Sequence, residues 1–144
     1  MMSKKPQLSP KLEKTELWPA AIKIAQMSYR NLEQLPEEEK WGMQYKLRLR
    51  AYELTNHLAE AYGAIDPREK VHSFGQARQS LFSLKNVTLM THKVGLAELD
   101  PQFILDIDKL VEKIDAAINA AGDKIPEWYT YFQDGTMKEE VKAK

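Results

Sequence analysis

The chain has 144 residues, 43% hydrophobic and 29% charged, which suits one folded domain with a core of its own. Lysine plus arginine and aspartate plus glutamate number 21 each, so the formal net charge is zero and no global field draws the chain to nucleic acid or acidic membrane. There is no cysteine, no apolar run of membrane-spanning length and no apolar secretory segment in the polar start MMSKKPQLSPKLEK; disulfides and thiolate chemistry are excluded, and a soluble, cytoplasmic protein is expected.

Residues 1–14 carry four lysines and no periodicity, and are expected to form a mobile arm. A first helix is expected from near Trp18, with Pro19 in its first turn, where a missing N–H loses little. Trp18, Ile22, Ala25, Tyr29 and Leu32 give it one apolar face. Leu35-Pro36 ends it, since proline disfavours helical geometry in the residue before it. Glu37, Glu38 and Glu39 then fall in the first turn of the next helix, where the dipole favours anions. The acidic run reads as a helix start rather than a metal site.

Residues 41–65, WGMQYKLRLRAYELTNHLAEAYGAI, carry more apolar surface than one core needs. At roughly 100° per residue, Met43, Leu47, Ala51, Leu54, Leu58, Ala61 and Ile65 form one stripe. Trp41, Tyr45, Tyr52 and Ala59 form another, nearly opposite, with Thr55 and Tyr62 between the two. Lys46, Arg50, Glu53, His57 and Glu60 fill the polar arc. Trp41, Tyr45 and Tyr52 either cover the rims of the same core, with their polar tips in water, or make a second buried contact with another copy of the chain. The second reading makes them the expected oligomer interface.

Asp66-Pro67-Arg68-Glu69 is a helix start, with Asp66 as N-cap and Pro67 at the first position. Phe74, Ala77, Leu81, Leu84, Thr88 and Thr91 make the inner stripe of this third helix; Phe82 and Leu89 lie off it, and Gly95 is placed to end it. Asp100-Pro101 repeats the signal. Phe103, Ile107, Leu110, Ile114, Ala117 and Ala121 form the fourth stripe, broadened by Ile104, Val111 and Ile118, and Gly122 closes the helix. Four helices with short connections imply an all-α, antiparallel up-down-up-down four-helix bundle over residues 15–122. Residues 123–144 are expected to be a partly disordered C-terminal extension. Its Trp128, Tyr129, Tyr131 and Phe132 are too apolar to float without cost. They either fold back over an end or groove of the bundle or dock a partner chain.

Little in the chain motivates chemistry. His57 and Glu60 are three apart, but a carboxylate–histidine metal helix needs the reverse order and a second copy. No glycine-rich phosphate loop occurs, and Ser73, Ser80 and Ser83 sit mid-helix without the sharp turn that presents a nucleophile. No enzyme, no cofactor and no metal are therefore expected. The basic residues say more. Lys46, Arg48 and Arg50 cluster on the second helix and are the candidate nucleic-acid contacts; Arg48, between the aromatic stripe and the core, is either paired or lines a polar cavity. Arg68, Lys70, Arg78, Lys85 and Lys93 add a basic strip on the third helix, unless acids of the fourth neutralise it.

The helices WPAAIKIAQMSYRNLEQLP, EEEKWGMQYKLRLRAYELTNHLAEAYG and ARQSLFSLKNVTLMTHKVGLAELDPQFILDIDKLVEKIDAAINA together resemble a known pattern. It is that of the small four-helix-bundle proteins encoded in intervening sequences of 23S ribosomal RNA genes. It is similar as well to the accessory variability proteins of diversity-generating retroelements. The resemblance covers about Leu17 to Ala121, with Trp41, Gly42, Gln44, Leu47, Arg48 and Arg50 at its best-marked stretch. It implies a homopentameric ring without enzymatic activity. In the retroelement branch it implies a ring that binds RNA or DNA and a reverse transcriptase. Those retroelement proteins are strongly basic, whereas this chain is formally neutral. The expected function is thus a homo-oligomeric accessory or scaffold protein; the alternative is a protein-interaction module with no nucleic-acid role, using the aromatic stripe or the C-terminal aromatic segment.

Overall fold

The computed structural model describes residues 8–126. Trp128, Tyr129, Tyr131 and Phe132 lie outside the described residues, as do residues 1–7 of the arm. Among the described residues there are five helices and no strand: α1 (Pro10–Glu13), α2 (Leu17–Leu32), α3 (Met43–Gly63), α4 (Pro67–Lys93) and α5 (Pro101–Gly122). The one turn of α1 falls within the stretch expected as an arm. No helix among the described residues is long and apolar enough to cross a membrane.

Two helices start as their sequence signals require. Asp66 accepts the Arg68 N–H at 2.9 Å, and Asp100 accepts the Gln102 N–H at 2.9 Å. Each aspartate satisfies one of the backbone donors left over at a helix start, and the proline behind it has no donor to satisfy. The end of α4 is equally well specified. Gly95 takes φ +82°, the Gly95 N–H bonds His92 O at 3.0 Å and the Leu96 N–H bonds Thr91 O at 2.8 Å. A side chain at that backbone angle is strained, which is why glycine stands there.

The junction between α2 and α3 differs from expectation. Glu37–Glu39 forms a separate 3-10 turn, and α3 begins only at Met43. Trp41 therefore precedes the helix instead of sitting on its outer stripe. Gln44 ties this junction down: its amide donates to Leu35 O at 3.3 Å and to Pro36 O at 3.1 Å. The Glu39 carboxylate lies beside Gly42 at the start of α3, with one oxygen buried and without a hydrogen-bond partner. The positive end of the helix dipole is the charge available to balance it.

The core draws on all four long helices. Leu17, Ala21 and Ile24 of α2, Leu47, Leu54, Leu58 and Ala61 of α3, Phe74, Ala77, Leu81, Leu84 and Val87 of α4, and Phe103, Ile107, Leu110 and Ile114 of α5 make one cluster. On α4 every residue of the expected inner stripe is buried, and on α5 only Ala117 is partly exposed. On α2 the stripe is displaced by one position. Leu17, Ala21, Ile24 and Ser28 face the core, while Tyr29 is exposed. Ser28 tolerates burial because its hydroxyl donates to Ile24 O at 2.9 Å, one turn back. On α3 the stripe holds from Leu47 to Ala61, but Ile65 is 95% exposed, because the helix stops at Gly63 and the chain turns extended at Ala64.

α2 packs on α3, α3 on α4, α4 on α5, and α5 returns to α2, which is compatible with a helical bundle. Specific bonds fix the register of these contacts. Tyr62, near the end of α3, packs edge-on against Phe74 at 5.9 Å and accepts the Leu17 N–H at 3.1 Å. Arg78 pairs with Asp115 at 2.6 Å and Lys85 with Asp108 at 2.8 Å, so a step of seven residues up α4 matches a step of seven down α5. Lys113 of α5 approaches Glu16, just before α2, at 3.8 Å.

Candidate oligomer interface and basic cluster

The second helix of the sequence reading, α3, turns one face entirely inward: Leu47, Ala51, Leu54, Leu58 and Ala61 are buried at a four-three spacing. Its opposite face repeats that spacing. Tyr45, Leu49, Tyr52, Asn56 and Ala59 stand at steps of four, three, four and three residues, the seam geometry of helix-on-helix packing. Tyr45 is 47% exposed and Tyr52 60%. Trp41 is 78% exposed in the turn below, with the Lys40 ammonium 5.7 Å from its ring centre. The three interface candidates are thus all exposed but do not share one helix.

Leu49 was missed in the sequence reading. It is half-buried between Tyr45 and Tyr52 along the outer seam, and its spacing of four from one and three from the other was the available signal. Next door on α4, Phe82 and Met90 are also exposed, and Arg78 stacks over the Phe82 ring at 4.9 Å.

The basic trio does not form one cluster. Arg48 lies on the flank toward the junction with α2, where its guanidinium donates to Lys40 O at 3.4 Å; it is a strut for the 3-10 turn. Arg50 lies on the opposite flank and pairs with Glu53 at 2.8 Å. Lys46 is exposed beside it. Lys46 and Arg50 line a cleft of 390 Å³ with Phe82, Ser83, Asn86 and Val87 of α4. A neighbouring cleft of 140 Å³ is lined by Arg50, Glu53, His57, Gln76, Gln79, Ser80 and Ser83, a polar set of mixed charge.

The basic strip expected on α4 is largely neutralised. Arg78 and Lys85 are held by α5 carboxylates, Arg68 by Asp66, and the Lys70 ammonium donates to Ala61 O at 2.9 Å. Asp66 receives both the side chain and the backbone N–H of Arg68, and these bonds hold its carboxyl below the ordinary value of 3.8. His57 Nδ1 meets Glu60 at 3.0 Å. Among the described residues no group of three histidines or carboxylates is placed to hold a metal ion.

The chain matches no protein-family model and no curated protein.

Proposed function

We propose that this chain is a non-enzymatic helical-bundle protein that assembles with copies of itself through the outer face of α3. The observation that carries the reading is the second four-three seam. Tyr45 and Tyr52 are exposed, with Leu49 half-buried between them, directly behind a face that is already fully buried. Such a strip of large apolar side chains at helix-packing spacing favours a helix of another molecule as its cover. The opposed stepping of the α4–α5 ion pairs, and the bonds joining the end of α3 to the starts of α2 and α4, support an up-down-up-down course for α2 to α5.

The resemblance to the ribosomal intervening-sequence and retroelement accessory proteins supports a homopentamer acting as an accessory or scaffold in the cytoplasm. A nucleic-acid role rests on the outer cations Lys46 and Arg50, the latter also paired with Glu53, and on the lysines of the N-terminal arm, since Arg48 braces the junction and the α4 cations are largely engaged within the chain. Repetition around a ring multiplies such weak phosphate contacts.

Light scattering tests the assembly. The wild-type chain is expected to run as a pentamer at tens of micromolar, and the Tyr45→Glu/Tyr52→Glu variant as a monomer with unchanged helical circular dichroism. A monomeric wild type overturns the reading. Filter binding of RNA and DNA across a salt series tests the second part. Binding is expected to weaken with salt, and Lys46→Glu to lower the slope by about one per lost phosphate contact. Absence of binding at low salt removes nucleic acid from the proposal and leaves the scaffold.

A further inference from the structure

The seam between α2 and α5 is the least closely joined of the four in the bundle. A cleft of 240 Å³ opens along it, smaller than the roughly 300–1,000 Å³ of pockets for drug-sized ligands. Its lining runs from residue 20 to 27 on α2 and from 106 to 113 on α5, about two helical turns or about 10 Å. The floor is apolar: Ile24 and Leu110 belong to the core, and Ala20 and Met27 pack against it. The rim carries three lysines, Lys23, Lys109 and Lys113, against the one carboxylate of Asp106. Among the described residues Lys23 and Lys109 form no ion pair, and Lys113 approaches Glu16 only at 3.8 Å. Asp106 is bonded to the Gln102 amide at 2.8 Å. Helix α5 is thus divided by charge. Its Asp108 and Asp115 are held by cations of α4, and its Lys109 and Lys113 stand over the seam with α2.

A short apolar slot edged with ammonium groups is complementary to a molecule with a short alkyl chain and one anionic head. The chain displaces water from Ile24, Met27 and Leu110, and the head accepts charge-assisted hydrogen bonds from the lysines. A cationic head meets like charge at the rim, and a neutral one gains little there. The small volume and the two-turn length set the chain length. We propose that the α2–α5 cleft binds a free medium-chain alkyl carboxylate, its chain on the apolar floor and its carboxylate among Lys23, Lys109 and Lys113. The long acyl chains of membrane lipids outrun a slot of about 10 Å. No residue of α3 lines the cleft, so this site stands apart from self-association.

Amide chemical shifts of the full chain, titrated with hexanoate, octanoate and the uncharged octanamide, test the proposal. Octanoate is expected to shift amides of α2 and α5 and to bind about fifteenfold more tightly than hexanoate, about fourfold for each buried methylene. Octanamide is expected to bind about fivefold more weakly than octanoate, for want of the charge. The Lys23→Glu/Lys109→Glu variant is expected to weaken octanoate about tenfold, and Lys46→Glu, in the α3–α4 cleft, to leave its affinity unchanged. If the double variant loses its helical circular dichroism, the comparison of octanoate with octanamide on the wild type decides alone. Equal binding of octanoate and octanamide overturns the proposal, as does an equal loss in Lys46→Glu. No shift by about 10 mM octanoate overturns it too, since ordinary ligand efficiency gives a molecule of this size an affinity in that range. Shifts at the cleft caused by anionic phospholipid vesicles and not by octanoate make the occupant a membrane surface. Shifts that follow protein concentration alone make it a second copy of the chain. Either result overturns the carboxylate site.

Discussion

Single side chains in this protein do strongly unequal work. Leu54 is fully buried at the centre of α3 and belongs to the core formed by all four long helices. Leu54→Ala removes three heavy atoms and leaves a cavity that rigid neighbouring helices fill poorly; urea denaturation is expected to show a loss of about 2–5 kcal/mol. Ser28 illustrates the limit of pattern reading. Its hydroxyl interrupts an apolar stripe in the sequence, yet the bond to Ile24 O lets it sit inside, and Tyr29 turns outward in its place. A one-residue rotation of α2 was therefore invisible to hydrophobicity alone. Ile65 fails for another reason: it continues the α3 period past the point where the helix has stopped, at Gly63.

Helix ends were the most legible elements. Asp66-Pro67 and Asp100-Pro101 both perform the capping their sequence suggests, and Gly95 takes the backbone angle that only glycine adopts freely. The start of α3 was less so, because its glutamates form a turn of their own and the helix begins only at Met43. The cap of α4 has a pH signature. Arg68 lowers the Asp66 carboxyl pKa in the folded chain, so its contribution is present above the unfolded value of 3.8 and is lost as pH falls through the lower folded value. Thermal unfolding followed from neutral pH down to about pH 2 is expected to show a smaller acid-side decline for Asp66→Asn than for wild type. Identical profiles would mean that the Asp66–Arg68 contact adds nothing to the cap.

At the scale of the whole molecule, charge is spent within the chain. The α4 cations and α5 carboxylates that a sequence count leaves as free surface charge pair across one seam. What remains outward on the other side includes the aromatics Tyr45 and Tyr52 on α3 and Phe82 on α4, beside the exposed Lys46. The candidate site was legible in outline, as two apolar faces on one helix; which basic residues stay outward was not, since pairing between helices depends on packing that no local pattern encodes. If the outer seam binds copies, stability follows mass action, and the unfolding midpoint is expected to rise with protomer concentration. A midpoint constant over a hundredfold dilution range, about 1 to 100 µM, would instead describe a protein that folds alone.

The tip joining α3 to α4 has a practical use. Gly63 has open space where a side chain would go, Ile65 projects almost entirely into water, and Asp66 begins its cap only afterwards. A foreign peptide spliced between Ala64 and Ile65 would leave that cap intact and protrude from one pole of the molecule, and such tips tolerate insertion best. An epitope grafted there gives a handle for counting subunits by microscopy while leaving both flanks of the fold untouched.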